Sequence, residues 1–271
     1  MSLTVHALNG GSCRHLLATI DGRSLRIVRF HAVFLAIHHP DRGWIMVDTG
    51  YGDRFFAATR KWPFRLYRWA TPVTLRGPAA AAIRPLGIRP EQVRHMVVTH
   101  FHADHVGGLA EFSHARVHFV AEALDHLASL SPRRQVRSAF LPCLIPPDLD
   151  RRSEPIPLAA FAPSGGLPFP VHDLFGDGSI RLVHLPGHAP GQVGLELDLN
   201  GVRTLYCADA YWHAMQIHRA IDLPRWVRRF QWDPAAYDTT IARLRLVAGS
   251  GSHRLFACHD AEIQRHVLPE H

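Results

Sequence analysis

The stretch Thr99-His100-Phe101-His102-Ala103-Asp104-His105-Val106-Gly107-Gly108-Leu109 decides how the rest of the chain is read. Four side chains able to bind a metal fall within six residues, directly behind a compact apolar run over 95–99 that reads as a strand. In a turn leaving a strand, residues i and i+2 can converge on one ion while i+4 and i+5 swing onto a second. Neutral imidazole and carboxylate suit zinc, the favoured ion, and the same donors accept iron, manganese or cobalt. Val106-Gly107-Gly108 then lets the backbone turn tightly at the start of a helix. With 21 His and 16 Asp in 271 residues, the pattern is expected by accident roughly 0.007 times. A histidine-rich surface loop is therefore set aside.

Working outward, runs bounded by Gly, Asp, Pro or polar residues predict strands over 15–20, 25–30, 32–38 and 44–47. Residues 51–88 are looser, with an aromatic-basic stretch and an alanine-rich helical piece ending near Pro85. A strand over 117–120 and a helix over 121–130 follow. Residues 142–170 are rich in Pro, Ser and Gly and read as a long connection. A second β-rich half carries strands over 180–185, 193–199 and 202–207, then a helix over 234–247 with Pro234 in its first turn and Asp233 as N-cap. A last strand over 255–258 precedes a short helix. The expectation is one domain over 1–271, two β-rich halves folded as a four-layer αββα sandwich.

Three more residues sit just behind predicted strands: His188 after 180–185, Asp209 after 202–207 and His259 after 255–258. Singly they read as a turn histidine, a capping aspartate and a core histidine. Their shared placement at strand ends argues for one site with the six-residue cluster.

THFHADHVGGL resembles the HxHxDH signature of the metallo-β-lactamase superfamily, and Val47-Asp48-Thr49-Gly50, LPGHAPGQVGL and CADA resemble its flanking blocks. The resemblance implies the αββα fold and a centre of two divalent metal ions. His100, His102 and His188 would hold one ion, Asp104, His105 and His259 the other, and Asp209 would bridge both. Asp48 matches a position that orients the ligand loop. Two dications roughly 3.5 Å apart would make a bridging hydroxide available at neutral pH. It would attack an ester, thioester or amide carbonyl, with Asp104 taking or relaying the proton.

The superfamily performs many reactions, so departures from its branches carry the substrate reading. Asp209 stands where classical zinc β-lactamases commonly carry cysteine, which argues against β-lactams. Twelve residues follow His259, so neither the carboxy-terminal helical domain of glyoxalase II nor the added domains of many nucleases are expected. Phe256-Ala257-Cys258-His259-Asp260 and Gly10-Gly11-Ser12-Cys13 are most similar to N-acyl homoserine lactone lactonases. In that family a tyrosine shortly after the bridging aspartate hydrogen-bonds the substrate carbonyl; here Tyr211 lies two residues behind Asp209, one position earlier than in the family. Asp104 and Tyr211 are thus the candidate catalytic residues. The leading expectation is a hydrolase that opens a lactone, such as an N-acyl homoserine lactone, or cleaves an ester. A thioesterase or acyl hydrolase of the glyoxalase II type comes second, and a metal-dependent phosphodiesterase or nuclease third. A mononuclear iron oxygenase is disfavoured because His105 and His259 complete a second donor set.

The 47% hydrophobic content is that of an ordinary globular chain. The net charge of +7 rests on one lysine, Lys61, and 29 dispersed arginines, so nucleic acid remains a minority reading. No basic-then-apolar leader opens the chain, and no window approaches the roughly 18 apolar residues of a spanning helix. The four cysteines form no close pairs, so a cytoplasmic protein with reduced thiols is expected. Residues 53–69 interleave Phe55, Phe56, Trp62, Phe64, Tyr67 and Trp69 with basic residues. They are expected to wall the substrate pocket; a homodimer contact and a membrane-surface patch are the competing readings.

Overall fold

Two sheets, seen in a computed structural model that describes residues 3–260, take up most of the predicted strands. The first contains β1 (Thr4–Leu16), β2 (Ile27–His39), β3 (Gly43–Val47), β4 (Val73–Leu75), β5 (Val93–Val97), β6 (Arg116–Val120) and β7 (Ser153–Ile156). Their spatial order is β4-β1-β2-β3-β5-β6-β7. The second contains β8 (Ala162–Pro163), β9 (Pro170–Asp173), β10 (Ile180–His184), β11 (Val193–Leu199), β12 (Val202–Tyr206) and β13 (Arg254–Phe256), in the order β13-β12-β11-β10-β9-β8.

The period-two alternation of strand side chains separates three apolar layers. Along β2, Val33, Leu35 and Ile37 face one cluster, while Ala32, Phe34 and Ala36 face another. The first cluster also takes Ile180 and Leu182 of β10, Leu195 and Leu197 of β11 and Tyr206 of β12, so it lies between the sheets. The second lies beneath helices of the amino-terminal half. A third takes Val183 of β10 and Leu205 of β12 and packs them against Tyr237, Ile241 and Leu244 of the helix Pro234–Ser250. This is the αββα sandwich that the sequence leads one to expect.

β3, β5, β6 and β7 pair in parallel, as do β12 and β13. Parallel neighbours need crossovers, and the last is made by the helix Pro234–Ser250. Its N-cap is Asp233, whose side chain accepts from the backbone N–H groups of Ala235 and Ala236, as read from the sequence. Such a cap stabilises a helix by about 1 kcal/mol. The loops behind β5, β10, β12 and β13 consequently open at one rim.

Several boundaries differ from the sequence reading. The run predicted as a strand over 15–20 is the end of β1 followed by the helical turn Ala18–Asp21, closed by Gly22 in the left-handed region. The strands expected over 25–30 and 32–38 are one continuous β2. The connection over 142–170 holds β7, the edge of the first sheet, and β8 at the edge of the second. The short helix expected behind the last strand lies outside the described residues.

Candidate metal centre

The loop behind β5 is held in place by Asp48, a buried residue with φ of 61°. Its carboxylate accepts from the Thr99 N–H at 2.8 Å, the Thr99 hydroxyl at 2.7 Å and the His105 Nδ1–H at 2.8 Å. A left-handed conformation at a non-glycine residue costs of order 1 kcal/mol or more, and these three bonds fix it. Gly107, read from the sequence as a tight-turn residue, has φ of −58° in the structure. What it needs is room: a Cβ there would meet the Gly52 nitrogen at 2.2 Å.

Six of the seven expected ligands fall into two donor groups that share Asp209: His100, His102, His188 and Asp209, then Asp104, Asp209 and His259. In each group the donor atoms lie within 4.8 Å of one another. His105 joins the same cluster, its Nε2 at 3.3 Å from Asp209 Oδ1 and 3.9 Å from Asp104 Oδ2. Asp209 Oδ2 stands 2.9 Å from His259 Nε2 and 3.5 Å from His188 Nε2. His188 Nε2 and His102 Nδ1 are 3.0 Å apart. Cys258 also approaches His105 and Asp209, though its thiol points at the carbonyls of His31 and Val33.

The far sides of these rings fix what the near sides offer. His259 Nδ1 donates to the His31 carbonyl at 2.7 Å, His188 Nδ1 to Gln231 Oε1 at 2.8 Å, and His105 Nδ1 to Asp48. Each partner oxygen only accepts, so the neutral ring carries its proton on Nδ1 and turns the Nε2 lone pair inward. Burial pushes His100, His102 and His188 down from the ordinary histidine range, favouring the neutral, ligating form. Burial would raise Asp209, yet His259 and His105 as cations hold it well below the carboxylate range. Burial would lower those two rings, but Asp209 holds both well above the histidine range, so with no metal bound each carries a second proton on Nε2, which a metal ion would displace.

Local backbone aims the carboxy-terminal ligands. Ala208, with φ of 47°, turns the chain out of β12 so that Asp209 enters the centre, and its carbonyl accepts from Cys258 N–H. Gly187, with φ of 125°, precedes His188; a Cβ there would lie 2.2 Å from the Tyr237 nitrogen. Residues 231–233 strap this turn, with Trp232 N–H on the His188 carbonyl and Asp233 N–H on the Gly187 carbonyl.

The donor set fits a metal on a direct observation. His100 Nε2, His105 Nε2 and Asp209 Oδ1 are buried, lack a hydrogen-bond partner and converge on one place. Buried polar atoms left unpaired cost about 1–3 kcal/mol each, and cations placed among them would remove that cost.

A cavity of about 660 Å³ opens over this cluster, reaching His102, Asp104, His188, Asp209 and His259 at its base. Phe30, Leu66, Trp212, Trp226, Phe230 and Trp232 make much of its wall. Of residues 53–69, Leu66 and Tyr67 reach the cavity; Trp62 and Trp69 are exposed outside it. Tyr211 does not line it: its ring is buried in the core against the helix Pro234–Ser250, and Trp212 takes the wall position. The phenols at the cavity are Tyr51 and Tyr67. Burial, then the neighbouring Asp104 and Cys13, hold Tyr67 well above the ordinary tyrosine range, so it stays a hydrogen-bond donor. Sequence reasoning missed Gln231 and Trp212, of which only Trp212 carried a signal, its place three residues behind Asp209; Tyr67 was expected at the pocket wall but not as the phenol facing the centre.

The fold and this donor set define a class. The metallo-β-lactamase superfamily model matches residues 27–259, and the chain belongs to that superfamily. It is 34% identical over 181 residues to the probable metallo-hydrolase Rv2300c of Mycobacterium tuberculosis, covering 64% of this chain and 54% of that protein. It is 32% identical over 117 residues to the N-acyl homoserine lactonase AttM of Azorhizobium caulinodans, covering 41% and 38%. The chain thus spans about half the length of these relatives or less. Among solved structures, B. thuringiensis AiiA with N-decanoyl-L-homoserine at its active site superposes with a TM-score of 0.73, at 16% identity and 98% and 96% coverage. At that identity the likeness concerns the fold.

Proposed function

We propose that the chain is a two-metal hydrolase that opens lactones or cleaves esters carrying an apolar acyl group. One observation carries this reading: two donor groups sharing Asp209 lie at the base of a 660 Å³ cavity walled largely by aromatic and aliphatic side chains. The kinship with AttM adds the lactone as substrate class.

His100, His102 and His188 would hold one ion, Asp104, His105 and His259 the other, and Asp209 both, with zinc as the proposed metal. Bound there, two divalent ions would acidify water and polarise a carbonyl oxygen. The protein's own groups do the rest. Asp48, Gln231 and the His31 carbonyl hold the imidazoles in the ligating tautomer. Asp104 presents a carboxylate at the cavity base, able to accept a proton and return it to the departing alkoxide oxygen. Tyr67, rather than Tyr211, offers a hydroxyl to the substrate carbonyl. The aromatic wall excludes water and takes the acyl chain at roughly 0.8 kcal/mol per buried CH₂.

A pH-stat screen of zinc-loaded protein against lactones, esters, thioesters, phosphodiesters and β-lactams tests this. Proton release from lactones or esters, faster for longer acyl chains and abolished by chelation, is the expected result. A clear preference for thioesters or phosphodiesters would overturn it.

A further inference from the structure

Among the described residues, every exposed phenylalanine and tryptophan lies in one of two segments, 53–71 or 224–232: Phe56, Trp62, Trp69, Trp226, Phe230 and Trp232. Between them packs a third segment, 131–138. There the Arg137 guanidinium stands 5.6 Å from the Phe230 ring and donates to the Arg229 carbonyl at 3.1 Å. Leu66, Arg133 and Trp226, one from each segment, all line the large cavity, so the three segments ring its mouth.

Charge gathers on the same ring. The three segments hold eleven Lys and Arg against a single acidic residue, Asp53, a net +10 in a chain whose total is +7. The remainder of the molecule is therefore net −3. Of these eleven only Arg228 has a carboxylate within 4 Å among the described residues, that of Asp238. A second cavity, of about 360 Å³, is lined by Thr59, Arg60, Arg65, Arg68 and Trp69 of the first of these segments. Three guanidinium groups and an indole suit a phosphate oxygen cluster beneath an apolar chain.

We infer that this face docks the molecule on an anionic lipid bilayer, with the cavity mouth opening toward the membrane. Exposed indoles beside arginines are the composition of a surface that seats at the headgroup boundary. Basic residues supply attraction to an anionic leaflet. A second copy of the chain is a poor occupant, because a symmetric contact would set two strongly cationic faces against each other. Nucleic acid shares the charge complementarity, but it gives no role to an apolar cavity opening between the tryptophans. The inference concerns where the molecule sits and does not depend on the reaction proposed above.

The test is co-sedimentation of the full chain with phosphatidylcholine vesicles, with and without phosphatidylglycerol. Vesicles containing phosphatidylglycerol should carry the protein down, neutral ones should not, and added salt should release it. Each basic residue near the surface adds about fivefold to affinity, so Arg60→Glu with Arg65→Glu should weaken binding about 25-fold or more. Brominated acyl chains should quench tryptophan fluorescence, and less so after Trp62→Ser with Trp69→Ser. If a variant melts early, the salt and lipid dependence of the wild type decides. Absence of sedimentation with phosphatidylglycerol, or equal sedimentation with neutral vesicles, overturns the inference. So does a doubled mass by light scattering that the arginine reversals abolish, or tighter binding to duplex DNA than to vesicles.

Discussion

Gln231 Oε1 accepts a hydrogen bond from His188 Nδ1 at 2.8 Å, tying the strap over 231–233 to a residue of the metal centre. Partners of this kind set the tautomer and orientation of a ligating ring, and losing one typically costs 10–100-fold in metal affinity. Gln231→Leu should therefore bind zinc about 10-fold or more weakly in competition with a chromophoric chelator. Unchanged zinc affinity would remove Gln231 from the centre.

Asp209 is common to both donor groups. Protein loaded with excess zinc should hold about two ions per chain by elemental analysis, and Asp209→Ala should hold about one or fewer and lose turnover. Chelation of the wild type should also lower its melting temperature, because it exposes the unpaired His100, His105 and Asp209 atoms to their own burial. A wild-type stoichiometry fixed at one would refute the shared-ligand arrangement.

The two tyrosines separate cleanly. Tyr67 lines the cavity whereas Tyr211 is buried in the core. Tyr67→Phe should lower kcat about 10-fold or more, leaving the fold and zinc content intact. Tyr211→Phe should keep kcat near that of the wild type. The reverse pattern in steady-state assays would return the role to Tyr211.

An acid sensitivity is built in outside the donor cluster. His118 packs on His95, with ring nitrogens 3.0 Å apart, and Phe175 covers the pair. Burial first, then the charges of His95, Arg116 and His172, push His118 down to about 4. An unfolded histidine titrates near 6.5. Below about pH 6.5 the unfolded chain takes up a proton that the folded one refuses. Stability is therefore full above about pH 6.5 and falls as the pH drops toward about 4, by up to about 3 kcal/mol. The loss of urea midpoint between about pH 7 and about pH 5 should be smaller in His118→Gln than in the wild type. Equal losses in both would contradict this.

Most of the donor set was legible because its members follow strands whose apolar runs are themselves legible: His100 to His105 behind β5, His188 behind β10, Asp209 behind β12 and His259 behind β13. The hidden parts are those with no local signature. β1 was missed over most of its length, since Gly10 and Gly11 interrupt it where its pairing with β2 is irregular. Gln231 and the His31 carbonyl reach the centre from distant points of the chain, and a backbone carbonyl is invisible in any sequence. Tyr211 follows Asp209 closely enough to invite a role. The turn at Ala208 instead buries its ring and hands the wall to Trp212. In residues 53–69 the aromatics were visible but not their division. The helix Arg65–Ala70 brings Leu66 and Tyr67 to the cavity and leaves Trp69 outside.

Each donor group draws on both halves of the chain: His100 and His102 meet His188, and Asp104 meets His259, with Asp209 shared. Cutting the backbone between β7 and β8 would leave two fragments, neither holding a complete set for even one ion. Reassembly of such fragments would then be a reaction whose equilibrium zinc concentration controls, so that the metal acts as the clasp of a split protein as well as its chemistry.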